Sequence, residues 1–158
     1  MSTQKLAKVA LIAAVYVILT VLPPFAALSY GPIQVRVAEA LTVLPFITPL
    51  AIPGLFLGCF IANLGSPFLA YDLTIGPVAT LLAAFLTSRM PRPYWAPLPP
   101  VVINAVLVSA YVAPLAGFSY LPVAGYIALG QLVACYGLGY PLLAYVRRRP
   151  ELMAWLSR

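Results

Sequence analysis

The chain has 158 residues, of which 63% are hydrophobic and 8% charged, with nine Lys and Arg against three Asp and Glu and a formal net charge of +6. A soluble domain carries about 25% charged residues, so this composition excludes a water-soluble globular protein and points to an all-α integral membrane protein. Nearly every stretch is claimed by an apolar segment, which leaves room for a single membrane domain over residues 1–158 and no attached soluble domain.

Apolar runs broken by Pro, Gly and charge predict six spans, at about 6–22, 34–47, 49–64, 72–89, 98–116 and 122–146. The first follows Lys5 and Lys8 and runs towards Ala26-Ala27-Leu28-Ser29, a pattern that could pass for a secretory signal with its cleavage region. Its removal would leave five spans and an outward amino terminus, so retention is expected. Ala10 and Ala14 stand four residues apart on one face of this span, a spacing that lets another helix approach closely, whether a partner subunit or a neighbour in the same bundle.

Spans two and three are short and separated only by Pro45-Phe-Ile-Thr-Pro49. A tight proline turn or a pair of shallow helices fits better than two full crossings of about 20 residues each. The basic residues then set the topology: Lys5 and Lys8 precede span one, Arg89 and Arg92 follow span four, and Arg147, Arg148 and Arg149 follow span six. An even count of six brings all three clusters, and both termini, to one side, which the positive-inside rule makes cytoplasmic. The same arginines are also suited to anionic lipid.

Between Lys8 and Arg89 the only charged residues are Arg36, Glu39 and Asp72. An ionisable group within the bilayer is costly and is read first as functional. On a helix, the three-residue spacing of Arg36 and Glu39 puts them on one face. The predicted topology places both in the outer half of span two, Asn63 at the outer end of span three and Asp72 at the outer start of span four. Asn104 and Gln131 fall nearer mid-depth. The polar groups converge on the outer half and the inner half is apolar down to the basic rim, which describes a pocket open outward and closed below.

Each of these residues also has a purely structural reading. Arg36 and Glu39 could be an intrahelical ion pair, Asp72 a helix N-cap worth about 1 kcal/mol, and Asn63 a cap at the end of span three. Asn104 and Gln131 could be interhelical hydrogen bonds of about 0.6 kcal/mol. The tyrosines could be interfacial anchors. Cys59 and Cys135 lie in apolar surroundings with no CxxC, and the chain has no His, so neither a disulfide, a metal nor another cofactor is expected. No catalytic constellation is visible, so the chain is not read as an enzyme. A stand-alone transporter or channel would be expected to show an internal repeat or polar residues through the full depth, and neither is seen.

The sequence resembles the QueT-type substrate-binding (S) components of energy-coupling-factor transporters, which take up queuosine precursors. The resemblance is carried by Tyr30-Gly-Pro-Ile-Gln-Val-Arg-Val-Ala-Glu-Ala-Leu-Thr-Val-Leu-Pro-Phe46, by Ala51-Ile-Pro-Gly-Leu-Phe-Leu-Gly-Cys-Phe-Ile-Ala-Asn-Leu64, and by Asp72 with Gly76 and the Ala79-Thr80-Leu-Leu-Ala-Ala run. After Pro97 no diagnostic motif is matched. The resemblance implies a membrane subunit that captures a small molecule outside and depends on a transmembrane coupling subunit and two ATPases; Ala10 and Ala14 occupy the place where similar S components dock. The absence of a GxxxxGK[ST] phosphate loop agrees with hydrolysis elsewhere. A deazaguanine edge presents an N–H beside an exocyclic NH2, a donor pair that a carboxylate accepts in bidentate fashion, and Glu39 is the candidate for it. Asp72 is the candidate partner for the cation of an aminomethyl precursor. Arg36 shares the site with Glu39, Asn63, Asn104 or Gln131 would read the ring carbonyl and remaining nitrogens, and Tyr71 or Tyr126 would stack on the ring. The nearest alternative is an S component for another vitamin-like molecule.

Overall fold

The computed structural model describes residues 2–29, 35–66 and 68–157, all of whose regular elements are helical. The stretch 30–34 that opens the Arg36 motif, and Pro67 before Asp72, lie outside the described residues. The elements are α1 (Thr3–Val21), α2 (Phe25–Ser29), α3 (Val37–Phe46), α4 (Ala51–Ala62), α5 (Leu69–Ser88), α6 (Leu98–Ala116), α7 (Tyr120–Arg147) and α8 (Pro150–Ser157). The short helices α2 and α8 have no counterpart among the predicted spans.

Four helices, namely α1, α5, α6 with its preceding turn, and α7, are long and apolar enough to cross a membrane. Their outer surfaces suit hydrocarbon. Val78, Leu81, Leu82 and Phe85 of α5, Val102 and Val106 of α6, and Leu129, Leu132 and Val133 of α7 are exposed, while Thr42, Thr80, Thr87, Asn63, Asn104 and Gln131 are buried. In water this distribution would leave a large apolar patch uncovered.

At the centre stands α3, a 3-10 helix with every residue from Ala38 to Pro45 buried. It packs against α1, α4, α5 and the middle of α7. A helix enclosed on all sides needs no polar face, which is why its sequence shows no amphipathic stripe. At about 2.0 Å per residue its ten residues rise about 20 Å, short of the roughly 30 Å hydrocarbon layer. The α4 helix with its terminal turn, Ala51–Gly65, is also shorter than a full crossing. The two short elements follow each other through Ile47–Leu50, as the prolines suggest.

One correction follows from α3. Its first helical residue is Val37, so Arg36, expected within the helix, is the extended residue that precedes it (φ −83°, ψ 104°). The pair nevertheless stays together, because Glu39 N–H donates to the Arg36 carbonyl at 3.0 Å and 3-10 geometry brings positions three apart into line.

Close packing of α1 on α4 rests on Gly54 and Gly58, a GxxxG pair that the sequence reading left unremarked. A Cβ added at Gly54 would lie 2.9 Å from Ile12 Cβ, and one added at Gly58 would lie 2.8 Å from Tyr16 Cβ and 3.0 Å from the Ala13 carbonyl. Small residues here let the two backbones meet. On the opposite side of the bundle, Gly139 comes equally near the Ala40 carbonyl. Gly139 ends a π-helical stretch of α7, Leu132–Gly139, just before Pro141. Proline lacks an N–H and crowds the carbonyl four residues back. The wider winding absorbs that, with Tyr140 N–H donating to the Cys135 carbonyl instead.

The three basic clusters gather at one end. Lys8 is buried, donates to the Trp155 carbonyl of α8 and lies 5.1 Å from the Trp155 ring centroid. The Tyr140–Arg147 part of α7 packs on the Pro93–Trp95 turn that follows Arg89 and Arg92, and Leu143, Val43 and Ala96 form a small core there. Because Val43 is in the later half of α3, its earlier half, with Arg36 and Glu39, points away from the basic end.

Candidate functional site

Five elements bring side chains to one place in the half of the bundle remote from the basic end. A cavity of about 20 Å³ lies there, lined by Arg36 and Glu39 around the start of α3, Cys59 of α4, Gly76 and Thr80 of α5, Asn104, Val108 and Tyr111 of α6, and Ile127 and Gln131 of α7. That volume suits about one water molecule. A bicyclic ligand therefore requires side chains to move.

Glu39 is 2% exposed and its carboxylate is held from two sides. The Tyr16 hydroxyl donates to Oε1 at 2.5 Å and Asn104 Nδ2 donates to Oε2 at 3.3 Å. Its main-chain carbonyl accepts from Thr42 Oγ1 at 2.6 Å, which anchors the turn that carries it. Arg36 Nη1 donates to Asn63 Oδ1 at 3.1 Å, and Asn63 Nδ2 donates onward to the Asp72 carbonyl at 2.6 Å. The Asn63 amide fits because residue 76 is Gly: a Cβ there would lie 2.6 Å from Asn63 Nδ2. Arg36 is thus tied to the start of α5, and Asn63, which stands at the C-cap of α4, uses its side chain to bridge helices.

Asp72 is 3% exposed, not open at a mouth. Its Oδ2 accepts from the Ser66 hydroxyl and its Oδ1 from the Tyr111 hydroxyl. The capping reading of Asp72 is also corrected: α5 starts at Leu69 with Phe68 as its N-cap, and Asp72 lies within the first turn. Helix N-termini favour negative charge, so that position still stabilises the carboxylate. Gln131 is buried, with its Oε1 3.4 Å from Cys135 Sγ, and the Glu39 carbonyl lies 3.5 Å from the same sulfur as an alternative acceptor for its one proton. Both cysteines are buried and free.

Of the residues proposed from sequence to bind a ligand, Arg36, Glu39, Asn104 and Gln131 line the cavity, while Asn63 and Asp72 form the layer behind Arg36 and Tyr111. Tyr71 is half-exposed but stacks on Tyr111, with centroids 5.7 Å apart and planes 10° apart. Tyr126 is half-exposed on α7 and is not among the lining residues. Ala10 and Ala14 are on the exposed face of α1, opposite Val9, Ile12, Ala13 and Tyr16, so they do not pack within this bundle. Sequence reasoning missed Tyr16, Ser66 and Tyr111, and took Thr80 only as part of a matched run. A signal existed for two of them. Asp72, Gly76 and Thr80, and likewise Asn104, Val108 and Tyr111, repeat at helical spacing and so share a face.

The sequence model of a family described as QueT transporter matches residues 6–148. The protein named queuosine precursor transporter QueT from Lactococcus lactis subsp. cremoris (strain MG1363) is 38% identical over 97 residues, which cover 59% of this chain and 57% of that relative. The match therefore spans little more than half of the relative's length. No solved structure matches the chain.

Proposed function

The chain belongs to the QueT transporter family, and on that premise we propose that it binds a 7-deazaguanine queuosine precursor as the S component of an energy-coupling-factor transporter. The observation that carries the substrate class is the buried Glu39 carboxylate at the cavity wall, already accepting donors from two helices. A carboxylate has about four lone-pair sites. With Tyr16 on one of them, both oxygens keep the capacity to accept the adjacent N–H and NH2 of a deazaguanine edge once Asn104 swings aside. The name of the Lactococcus lactis relative supports the same class of molecule.

Formal charge favours the aminomethyl form over the neutral nitrile. Arg36 supplies one positive charge against the two negative charges of Glu39 and Asp72, and a cationic ligand balances the remaining one in a low-dielectric site. Tyr71 and Tyr111 form an aromatic pair beside that site, on which the flat ring system can stack.

Orientation and coupling belong to the same proposal. The chain crosses the cell membrane six times, with α3 and α4 as the short pair, and both termini are cytoplasmic. The gathering of Lys8, the Pro93–Trp95 turn and the end of α7 at one end supports this through the positive-inside rule. The site then faces outward. The exposed Ala10 and Ala14 provide the face on which a transmembrane coupling subunit, bound to two ATPases, docks. Calorimetric titration of the detergent-purified chain with the aminomethyl deazaguanine, guanine and an unrelated vitamin tests the substrate class. The expected result is tight binding of the deazaguanine alone. Binding of the vitamin alone would keep the architecture and discard the substrate.

A further inference from the structure

The two hydrogen bonds on the Glu39 carboxylate are unequal. Asn104 lines the cavity and donates to Oε2 at 3.3 Å, a long bond from a side chain that a ligand would meet. Tyr16 is fully buried, stands outside the cavity lining and donates to Oε1 at 2.5 Å. A neutral donor bonding an ionised acceptor at this length is among the stronger hydrogen bonds.

Tyr16 is also held in place. Its backbone carbonyl accepts from Thr20 Oγ1 at 2.9 Å, and its Cβ lies against Gly58, where an added carbon would come within 2.8 Å. The GxxxG crossing of α1 and α4 therefore fixes where the phenol reaches. Glu39 itself has three rotatable side-chain bonds and would otherwise swivel. The 3-10 winding of α3 sets its Cα, but not the plane of its carboxylate.

Resting on the substrate reading above, we infer that Tyr16 is a specificity-determining positioning residue, which clamps the Glu39 carboxylate from behind so that its free edge meets both N–H groups of the ligand at once, while Asn104 is the donor that yields. A carboxylate fixed in plane rejects a ligand lacking one of the two donors, because one accepting position on its ligand-facing edge is then left buried without a donor. A swivelling carboxylate re-forms a single bond and tolerates the loss.

The test uses the full chain in detergent and two probes, the aminomethyl deazaguanine and the same molecule without its exocyclic amino group. Wild type is expected to prefer the first by roughly 100-fold, and Tyr16→Phe to reduce that preference to about tenfold or less, chiefly by weakening the first ligand. Phenylalanine keeps the ring against Gly58, so the ligand-free melting temperature is expected to move by only a few degrees, a small shift for loss of one hydrogen bond. A chain carrying 3-fluorotyrosine at position 16 retains the hydroxyl and is expected to keep the wild-type preference, which tests the inference independently of how well the Phe variant folds. An unchanged preference in Tyr16→Phe, or an equal loss of affinity for both probes, would overturn the clamp and leave the substrate reading intact. Failure of wild type to bind either probe would overturn the substrate reading, and the clamp with it.

Discussion

The two faces of α1 carry similar residues and do opposite things. Val9, Ile12, Ala13 and Tyr16 are buried against α4, where Gly54 and Gly58 remove every side-chain atom that would keep the helices apart. Ala7, Ala10, Leu11 and Ala14, on the opposite side of the same helix, are exposed. Small residues alone do not say which face packs; the partner decides. On the buried face the small residues belong to α4 and the large one, Tyr16, reaches past them to Glu39. On the exposed face α1 supplies the small residues itself, which would let a helix from elsewhere approach closely. A displacement of α1 by a partner at that surface would be felt by Glu39 through Tyr16.

Breaking the buried face is expected to have the largest effect. In Gly58→Leu the new side chain would meet Tyr16 and the Ala13 carbonyl, and backbone cannot yield as a side-chain tip does. A loss of about 3 kcal/mol or more is expected, from overpacking, visible as a lowered melting temperature and aggregation on size-exclusion chromatography; a variant as stable as wild type would show that the close crossing is not needed.

The next effect separates the charge of the site from its shape. Asp72→Asn keeps the volume and removes one negative charge from a cluster in which Ser66 and Tyr111 both donate to the carboxylate. Roughly tenfold weaker binding of the aminomethyl precursor is expected, with the neutral nitrile changed less than twofold. Equal losses for both ligands would assign Asp72 a structural role only.

The smallest effect on the isolated chain is expected at the exposed face. Ala10→Leu and Ala14→Leu should shift unfolding by less than about 0.5 kcal/mol, as surface substitutions do, and leave ligand affinity unchanged. Cellular uptake of the labelled precursor should be lost, because the bulky side chains hold a docking helix away. Full uptake by the double variant would remove this face from the coupling account.

Much of this arrangement was readable from composition and a few costly residues. Arg36, Glu39 and Asp72 stand out because nothing else in the long apolar interval is charged, and Asn63, Asn104 and Gln131 because an amide in an apolar run needs a partner. All six are buried within the one polar network or next to it. The short pair of apolar helices was readable from Pro45 and Pro49. What stayed hidden depended on packing. Tyr16 lies in a run with no other polar group nearby except Thr20, and tyrosines in such proteins commonly anchor at interfaces, so nothing local marks it as the partner of a carboxylate 23 residues away. The 3-10 winding of α3 was equally hidden, since a fully enclosed segment shows no hydrophobic period. Tyr126 illustrates the converse. Its depth was suitable, but the rotation of α7 turns Ile127 and Gln131 to the cavity and leaves Tyr126 on the outside.

The central claim is that the Glu39 carboxylate reads the ligand, and Glu39→Gln tests it most directly. Glutamine has nearly the same shape, but one carboxylate oxygen becomes an NH2 that faces a donor instead of accepting from it. Titration of wild type and Glu39→Gln with the aminomethyl deazaguanine, at matched thermal stability, is expected to show tight binding in the first and a loss of roughly 100-fold or more in the second. Equal affinity in the two proteins would contradict the account, and would move the recognition of the ligand away from Glu39.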